Sequence, residues 1–223
     1  SPERASQRAT DLGFSRYSDN WRDVVEDDQV HLVSVCTPND THAEIAIAAL
    51  AAGKHVWCEK PMSTTLADST AMANAAASSA GKTIIGYNYT KNPAVTHARR
   101  LIDDGVIGRV SGFFCRYDVD NEADGNRPWS WRMSRAQSGT GSNGDVLSHV
   151  ISVAHFLTNS SISRVVGDYT IVHEERADSQ AAGQTKIVDN DDMVAALIHF
   201  ENGVKGHIGA SRVTWGRKCG LHW

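Results

Sequence analysis

The sequence predicts an α/β first half built as a doubly wound parallel sheet. An α+β half with a mostly antiparallel open sheet follows. Three observations predict this. Short β-branched apolar runs alternate with Ala-rich helical stretches through residue 90. Beyond Arg109 the apolar runs lengthen, and a Gly/Ser-rich stretch leads into one helix. Asn202-Gly203 separates two of the long runs, a strong hairpin signal.

The elements follow in order. Ser1-Pro2-Glu3 reads as an N-cap, a proline at the first helical position and an acid in the first turn, with Gly13 closing the helix. A short strand is expected at Phe14–Tyr17 and a helix at Asp19–Asp27. Val30–Cys36 is a nearly continuous apolar run, suited to a parallel strand covered on both faces. It ends in the turn cluster Thr37-Pro38-Asn39-Asp40. A helix over Thr41–Ala52 closes at Gly53, and the strand His55–Cys58 leads into Glu59-Lys60-Pro61. The helix Thr65–Ala80, the strand Thr83–Tyr87 and the helix Pro93–Asp104 complete the alternation.

The second half opens with a strand over Arg109–Asp120 and a polar loop holding Pro128-Trp129-Ser130-Trp131-Arg132. Ser138–Gly144 introduces a helix over Asp145–Leu157. Long strands follow at Ser163–Glu174, Asp192–Glu201 and Val204–Trp215. Two domains result, residues 1–90 and 91–223. The Asp189–Asp192 cluster is no calcium loop and reads as a solvated strand entry.

Composition excludes several classes. The chain has 223 residues, 22 basic and 26 acidic, a net charge of −4 and a pI near 6.2. That balance argues against nucleic acid and against acidic membrane surfaces. No apolar run approaches the roughly 20 residues of a membrane span. Cysteines 36, 58, 115 and 219 form no C-x-x-C pair, which argues against zinc or a redox motif. Cys36 and Cys58 are expected in buried strands as small hydrophobes, in keeping with a reducing, cytoplasmic compartment. The histidines at 31, 42, 55, 97, 173, 199, 207 and 222 show no metal-ligand spacing, so no metal site is expected.

Three segments carry a resemblance together: Val35-Cys36-Thr37-Pro38-Asn39-Asp40-Thr41-His42, Ala52-Gly53-Lys54-His55-Val56-Trp57-Cys58-Glu59-Lys60-Pro61, and Gly144-Asp145-Val146-Leu147-Ser148-His149. Their order and spacing resemble the glucose–fructose oxidoreductase/inositol dehydrogenase (Gfo/Idh/MocA) family. The Trp-Ser-Trp-Arg loop and Gly86-Tyr87-Asn88-Tyr89 are similar to a sugar- and polyol-oxidising subgroup. The resemblance implies a Rossmann-like dinucleotide domain and a substrate-binding and oligomerisation domain. It also implies an opening strand, a G-x-G-x-x-G turn, a helix and a second strand ahead of Ser1, and further strands and a helix after Trp223. The sequence is therefore expected to be an internal piece of a longer chain.

Each site residue has a bland and a functional reading. Lys60 follows a strand and precedes Pro61, which holds it extended at the carboxyl edge of a parallel sheet, where such sheets bind ligands. Alone it reads as a turn lysine; the resemblance implies that it bonds the reacting hydroxyl beside the nicotinamide. Asp145 and His149 stand at i, i+4, on one helix face. A carboxylate there orients an imidazole and raises its proton affinity, which suits a general base. On residues alone, an N-cap aspartate with a packed helix histidine is the stronger reading. The resemblance implies that His149 is the base and that Asp145 positions it or the substrate. Many relatives carry an aspartate where Ser152 stands, which weakens any substrate contact assigned there.

The resemblance further implies that Thr37, Pro38, Asn39 and His42 lie along the cofactor, NAD or NADP, and that Glu59 meets a ribose hydroxyl. Asn88 would face the nicotinamide or substrate. Trp131 and Arg132 are candidate cofactor-binding wall and clamp residues, since an indole can cover an apolar ring face and a guanidinium can bind phosphate or a polyol, and Tyr117 lines the substrate pocket or packs the sheet. Trp129 packs the loop. Three functions compete. The first is a sugar or cyclic-polyol dehydrogenase, dimeric or tetrameric through its open sheet. The second is an NAD-assisted glycoside-cleaving enzyme without net redox. The third is a non-catalytic dinucleotide-binding regulator or remnant.

Overall fold

The computed structural model describes residues 1–223, which divide into two units, Ser1–Gly86 and Tyr87–Trp223. The first begins with α1 (Pro2–Leu12), opened by its N-terminal proline and closed by Gly13 at φ 74. Glycine meets that left-handed geometry without a Cβ penalty. In α2 (Trp21–Glu26) the Asn20 side chain caps the Arg22 N–H. Then come β1 (Leu32–Val35), α3 (His42–Ala51), β2 (His55–Cys58), α4 (Leu66–Ser78) and β3 (Thr83–Ile85). Thr65 caps α4 through the Asp68 N–H. The three strands form a parallel sheet in the order β1-β2-β3, with Val33 opposite Val56 and Val56 opposite Thr83.

Val33, Val35, Val56 and Cys58 pack against Ile45, Ala49, Leu50 and Met72 from α3 and α4. Three expectations are corrected here. The Val30–Cys36 strand was expected to be covered on both faces, but burial alternates along it and leaves Leu32 exposed, as Trp57 and Ile84 are on β2 and β3. Helices α3 and α4 pack side by side, so they serve one face. Phe14–Tyr17 is not a strand; no neighbouring strand pairs with it, and Phe14 and Tyr17 are exposed. Cys36 is likewise exposed rather than buried, because β1 ends one residue earlier.

The second unit carries α5 (Pro93–Asp103), β4 (Gly112–Asp118), the short α6 (Arg135–Ser138), a π-helical turn (Asn143–Leu147) and α7 (Ser148–Thr158). It continues through β5 (Ile162–Thr170), β6 (Glu175–Ala177), β7 (Thr185–Ile187), β8 (Met193–Phe200), β9 (Lys205–Ser211) and β10 (Gly220–His222). The main sheet runs β10-β4-β9-β8-β5. Only β4 and β9 pair in parallel; the rest is antiparallel. β6 and β7 form a separate two-stranded ribbon. At the β8–β9 turn Gly203 alone takes positive φ, with Phe200 and Val204 closing the loop.

One face of this sheet packs on α7. Phe113, Cys115, Ile198, Ile208 and Ala210 meet Val150, Val153, Ala154 and Leu157. On the other face Phe114, Val166 and Leu197 are exposed. No helix is long and apolar enough to cross a membrane.

Candidate active site

In the first unit the candidate residues gather at the carboxyl ends of the strands. The Glu59 N–H bonds the Val35 carbonyl at 2.9 Å, carrying the β1–β2 ladder one residue further. The next peptide, Lys60-Pro61, is cis. His42 opens α3, is 1% exposed and joins two loops. Its Nε2 lies 3.0 Å from the Thr37 carbonyl and its Nδ1 lies 2.9 Å from the Pro61 carbonyl. His42 thus faces the protein interior and ties the Thr37-Pro38 turn to the Lys60-Pro61 turn. Thr41 stands at the start of α3 but makes no side-chain cap; its hydroxyl lies 2.6 Å from Thr37 Oγ1 and 2.7 Å from the Pro38 carbonyl. Gly86 closes the edge. A Cβ there would stand 3.0 Å from Glu59 Oε2, so the bare backbone lets the carboxylate lie over it.

This edge fits part of a dinucleotide by its donor set. Thr37 and Asn39 offer hydroxyl and amide, Glu59 a carboxylate matched to ribose hydroxyls, and Lys60 an ammonium. Open parallel sheets bind such ligands at their carboxyl edge.

In the second unit Asp145 lies in the π turn and His149 in the first turn of α7. An α-helix over Asp145–Leu157 was expected. The observed segment starts two residues earlier and is wider at its start, a form often found at functional sites. His149 is buried among three tyrosine rings. Tyr89 lies at 4.9 Å between centroids, Tyr117 at 5.9 Å and Tyr87 at 6.0 Å, all edge-on. The Tyr89 and Tyr117 hydroxyls are 2.8 Å apart, and the Cys219 thiol lies 3.1 Å from Tyr117 and 3.3 Å from Tyr89. Burial, then the bond with Cys219, raises the pKa of both phenols above the ordinary value. They are neutral hydroxyls at physiological pH.

Asn88 stands exposed in a 3-10 turn with Tyr89. Trp131 and Arg132 share another 3-10 turn, where the guanidinium stacks 4.5 Å from the indole. Trp129 packs its loop, donating from its indole to the Ile187 carbonyl at 2.9 Å.

The Asp189–Asp192 cluster is a correction. It was read as solvated, yet Asn190, Asp191 and Asp192 are buried. Asn190 donates to the Arg132 carbonyl and to Ser138 Oγ, each at 2.8 Å. Asp192 pairs with Arg212 at 2.7 Å, and both are almost wholly buried. Acids at the mouth of a strand look solvated in sequence because their partners lie far along the chain. Tyr87 and Tyr89, which surround His149, were also not assigned. Their signal was an aromatic pair flanking Asn88 at a strand end.

A three-stranded parallel sheet with the candidate residues at its carboxyl edge is thus joined in sequence to an α+β unit with a buried histidine. Comparison with known proteins makes this specific. Residues 1–87 match a model described as an oxidoreductase family with an NAD-binding Rossmann fold, and residues 95–222 match the GFO/IDH/MocA C-terminal domain. The chain belongs to the GFO/IDH/MocA oxidoreductase family.

Among its relatives is a levoglucosan dehydrogenase from Pseudarthrobacter phenanthrenivorans, 38% identical over 97% of this chain and 58% of the relative. A 1,5-anhydro-D-fructose reductase from Ensifer adhaerens is 32% identical over 92% of this chain and 57% of its own length. The structure of a levoglucosan dehydrogenase complexed with NADH and L-sorbose superposes with a TM-score of 0.95 at 38% identity, covering 99% of this chain and 58% of that one. The chain thus spans less than two thirds of the length of these relatives.

Proposed function

We propose that the protein is a dehydrogenase that moves hydride between a secondary alcohol of a sugar or cyclic polyol and NAD or NADP. The observation that carries this is the buried His149 at the head of α7, ringed by Tyr87, Tyr89 and Tyr117 with Asp145 one turn before it. Identity to a levoglucosan dehydrogenase supports the substrate class, and the NADH complex of such an enzyme supports the cofactor. Residues 1–90 serve chiefly the dinucleotide and residues 91–223 chiefly the substrate.

Bound nicotinamide supplies the hydride acceptor. Thr37, Pro38, Asn39 and Glu59 hold the cofactor from the sheet edge, with His42 fixing the turn they stand on. Trp131, Arg132 and Asn88 complete the cofactor set. Lys60 donates to the reacting oxygen and His149 removes its proton, while Asp145 orients the imidazole or the sugar. Tyr117 contributes to the substrate wall. The exposed apolar face bearing Phe114, Val166 and Leu197 supports dimers or tetramers formed through the open sheet. The free cysteines support a cytoplasmic location.

The test is cofactor reduction by the full-length protein with a panel of sugars and polyols that includes levoglucosan and inositols. His149→Ala and Lys60→Ala are each expected to cut turnover at least about a hundredfold, the scale of acid–base catalysis. Near-parental turnover in either variant contradicts the role given to that residue.

A further inference from the structure

The Asp189–Asp192 segment stands at the entry to β8, far along the chain from His149, yet it holds the start of the helical segment that carries it. Three successive amides converge on Asp191. The Gly141 N–H donates to Oδ1 at 2.9 Å, the Asn143 N–H to Oδ2 at 2.6 Å, and the Ser142 N–H to the Asp191 carbonyl at 2.8 Å. The first N–H groups of a helix have no partner within it and need an outside acceptor. A carboxylate in that place is also favoured by the helix dipole. Asp191 is 6% exposed, so water is a poor substitute. The approach is as close as backbone allows. A Cβ on Gly141 would fall 1.8 Å from the Asp191 carbonyl oxygen.

From this anchor the ladder runs straight to the candidate chemistry. The Asp145 N–H bonds the Gly141 carbonyl at 3.0 Å, opening the π turn that feeds α7. A shift at Gly141–Asn143 is therefore passed to Asp145 and His149.

We propose that Asp191 is a positioning residue, setting the place of Asp145 and His149 through the amides of Gly141 and Asn143. This rests on the reading of His149 as the base. Asp191→Asn keeps the side-chain shape but turns an NH2 group toward one of the two N–H donors, so one bond becomes a repulsion. A misplacement of about 1 Å costs on the order of a hundredfold in rate.

The test compares the full-length parent with Asp191→Asn by site-resolved hydrogen exchange and by steady-state kinetics. Amides of residues 142–149 are expected to exchange at least about tenfold faster while β8 and β9 amides stay within about twofold, the pattern of local rather than global opening. kcat is expected to fall about 10- to 100-fold with KM for the cofactor within about twofold. Unchanged exchange over 142–149 overturns the proposal, and so does faster exchange with unchanged kcat. Should Asp191→Asn not fold, Asp191→Ser is read in the same way; if neither folds, the role is structural and the proposal falls. A parent without turnover on any sugar or polyol removes the proposed function instead. The exchange result then decides whether Asp191 places the segment.

Discussion

Replacing Arg212 with methionine removes the charge opposite Asp192 while keeping most of the side-chain volume. The consequence follows from what Arg212 holds. Its Nε meets Asp192 Oδ1 at 2.7 Å, its Nη2 meets Asn190 Oδ1 at 2.8 Å and its Nη1 meets the Arg132 carbonyl at 3.2 Å. After the change Asp192 retains the N–H groups of Val172 and His173, at 2.7 and 3.1 Å, but no cation. With side-chain exposures of 5% for Arg212 and 1% for Asp192, solvent cannot take its place. Breaking such a pair from one side costs about 3–5 kcal/mol. At about 2–4 °C per kcal/mol the melting temperature drops roughly 10 °C. Hydrogen exchange at β8 and β9 amides reads the loss in this unit directly. Adding Asp192→Asn to the same chain should recover part of it, because the stranded charge is then gone. A loss below about 1 kcal/mol, the value of an exposed pair, would refute the reasoning.

Further outcomes follow from the same structure. Cys58 and Cys115 are buried, which pushes each thiol up to about 12, so a thiol reagent at neutral pH should label Cys36 and Cys219 and spare those two; mass spectrometry of the native protein reads this. Burial raises the Tyr117 pKa, so the folded state holds that proton more tightly than the unfolded one. Its contribution to stability is complete below the unfolded value of about 10 and is lost as pH rises beyond it. In Tyr117→Phe the alkaline fall in melting temperature should be shallower. His42→Phe keeps the ring volume and removes both carbonyl contacts, so the first unit should lose about 1–3 kcal/mol, seen as faster exchange in β1 and β2.

Much of the fold was legible because it is written in local signals. Pro2 and Gly13 bound α1, and His55–Cys58 is a strand over its expected span. Thr65 and Asn92 cap the helices that follow them. What failed depended on distant partners. Phe14–Tyr17 has strand composition but no strand beside it. β6, β7 and β10 are too short to announce themselves in composition and exist because a neighbour pairs with them. The π turn at Asn143–Leu147 and an α-helix share their apolar spacing over so few residues. Among the candidate residues, Lys60, Asp145 and His149 are assigned from motif order, and their roles are the proposal. The ring of tyrosines around His149 and the burial of Asn190, Asp191 and Asp192 arise only when segments some fifty residues apart meet.

The central claim is hydride transfer from a carbinol carbon, and isotope transfer tests it most directly. The full-length protein is given a sugar or polyol deuterated at the reacting carbon together with oxidised cofactor, and the nicotinamide is examined by mass spectrometry. The account predicts one deuterium on the recovered reduced cofactor and a matching amount of ketone product. Glycoside cleavage with no labelled cofactor released, or no transfer with any substrate of this class, would contradict it.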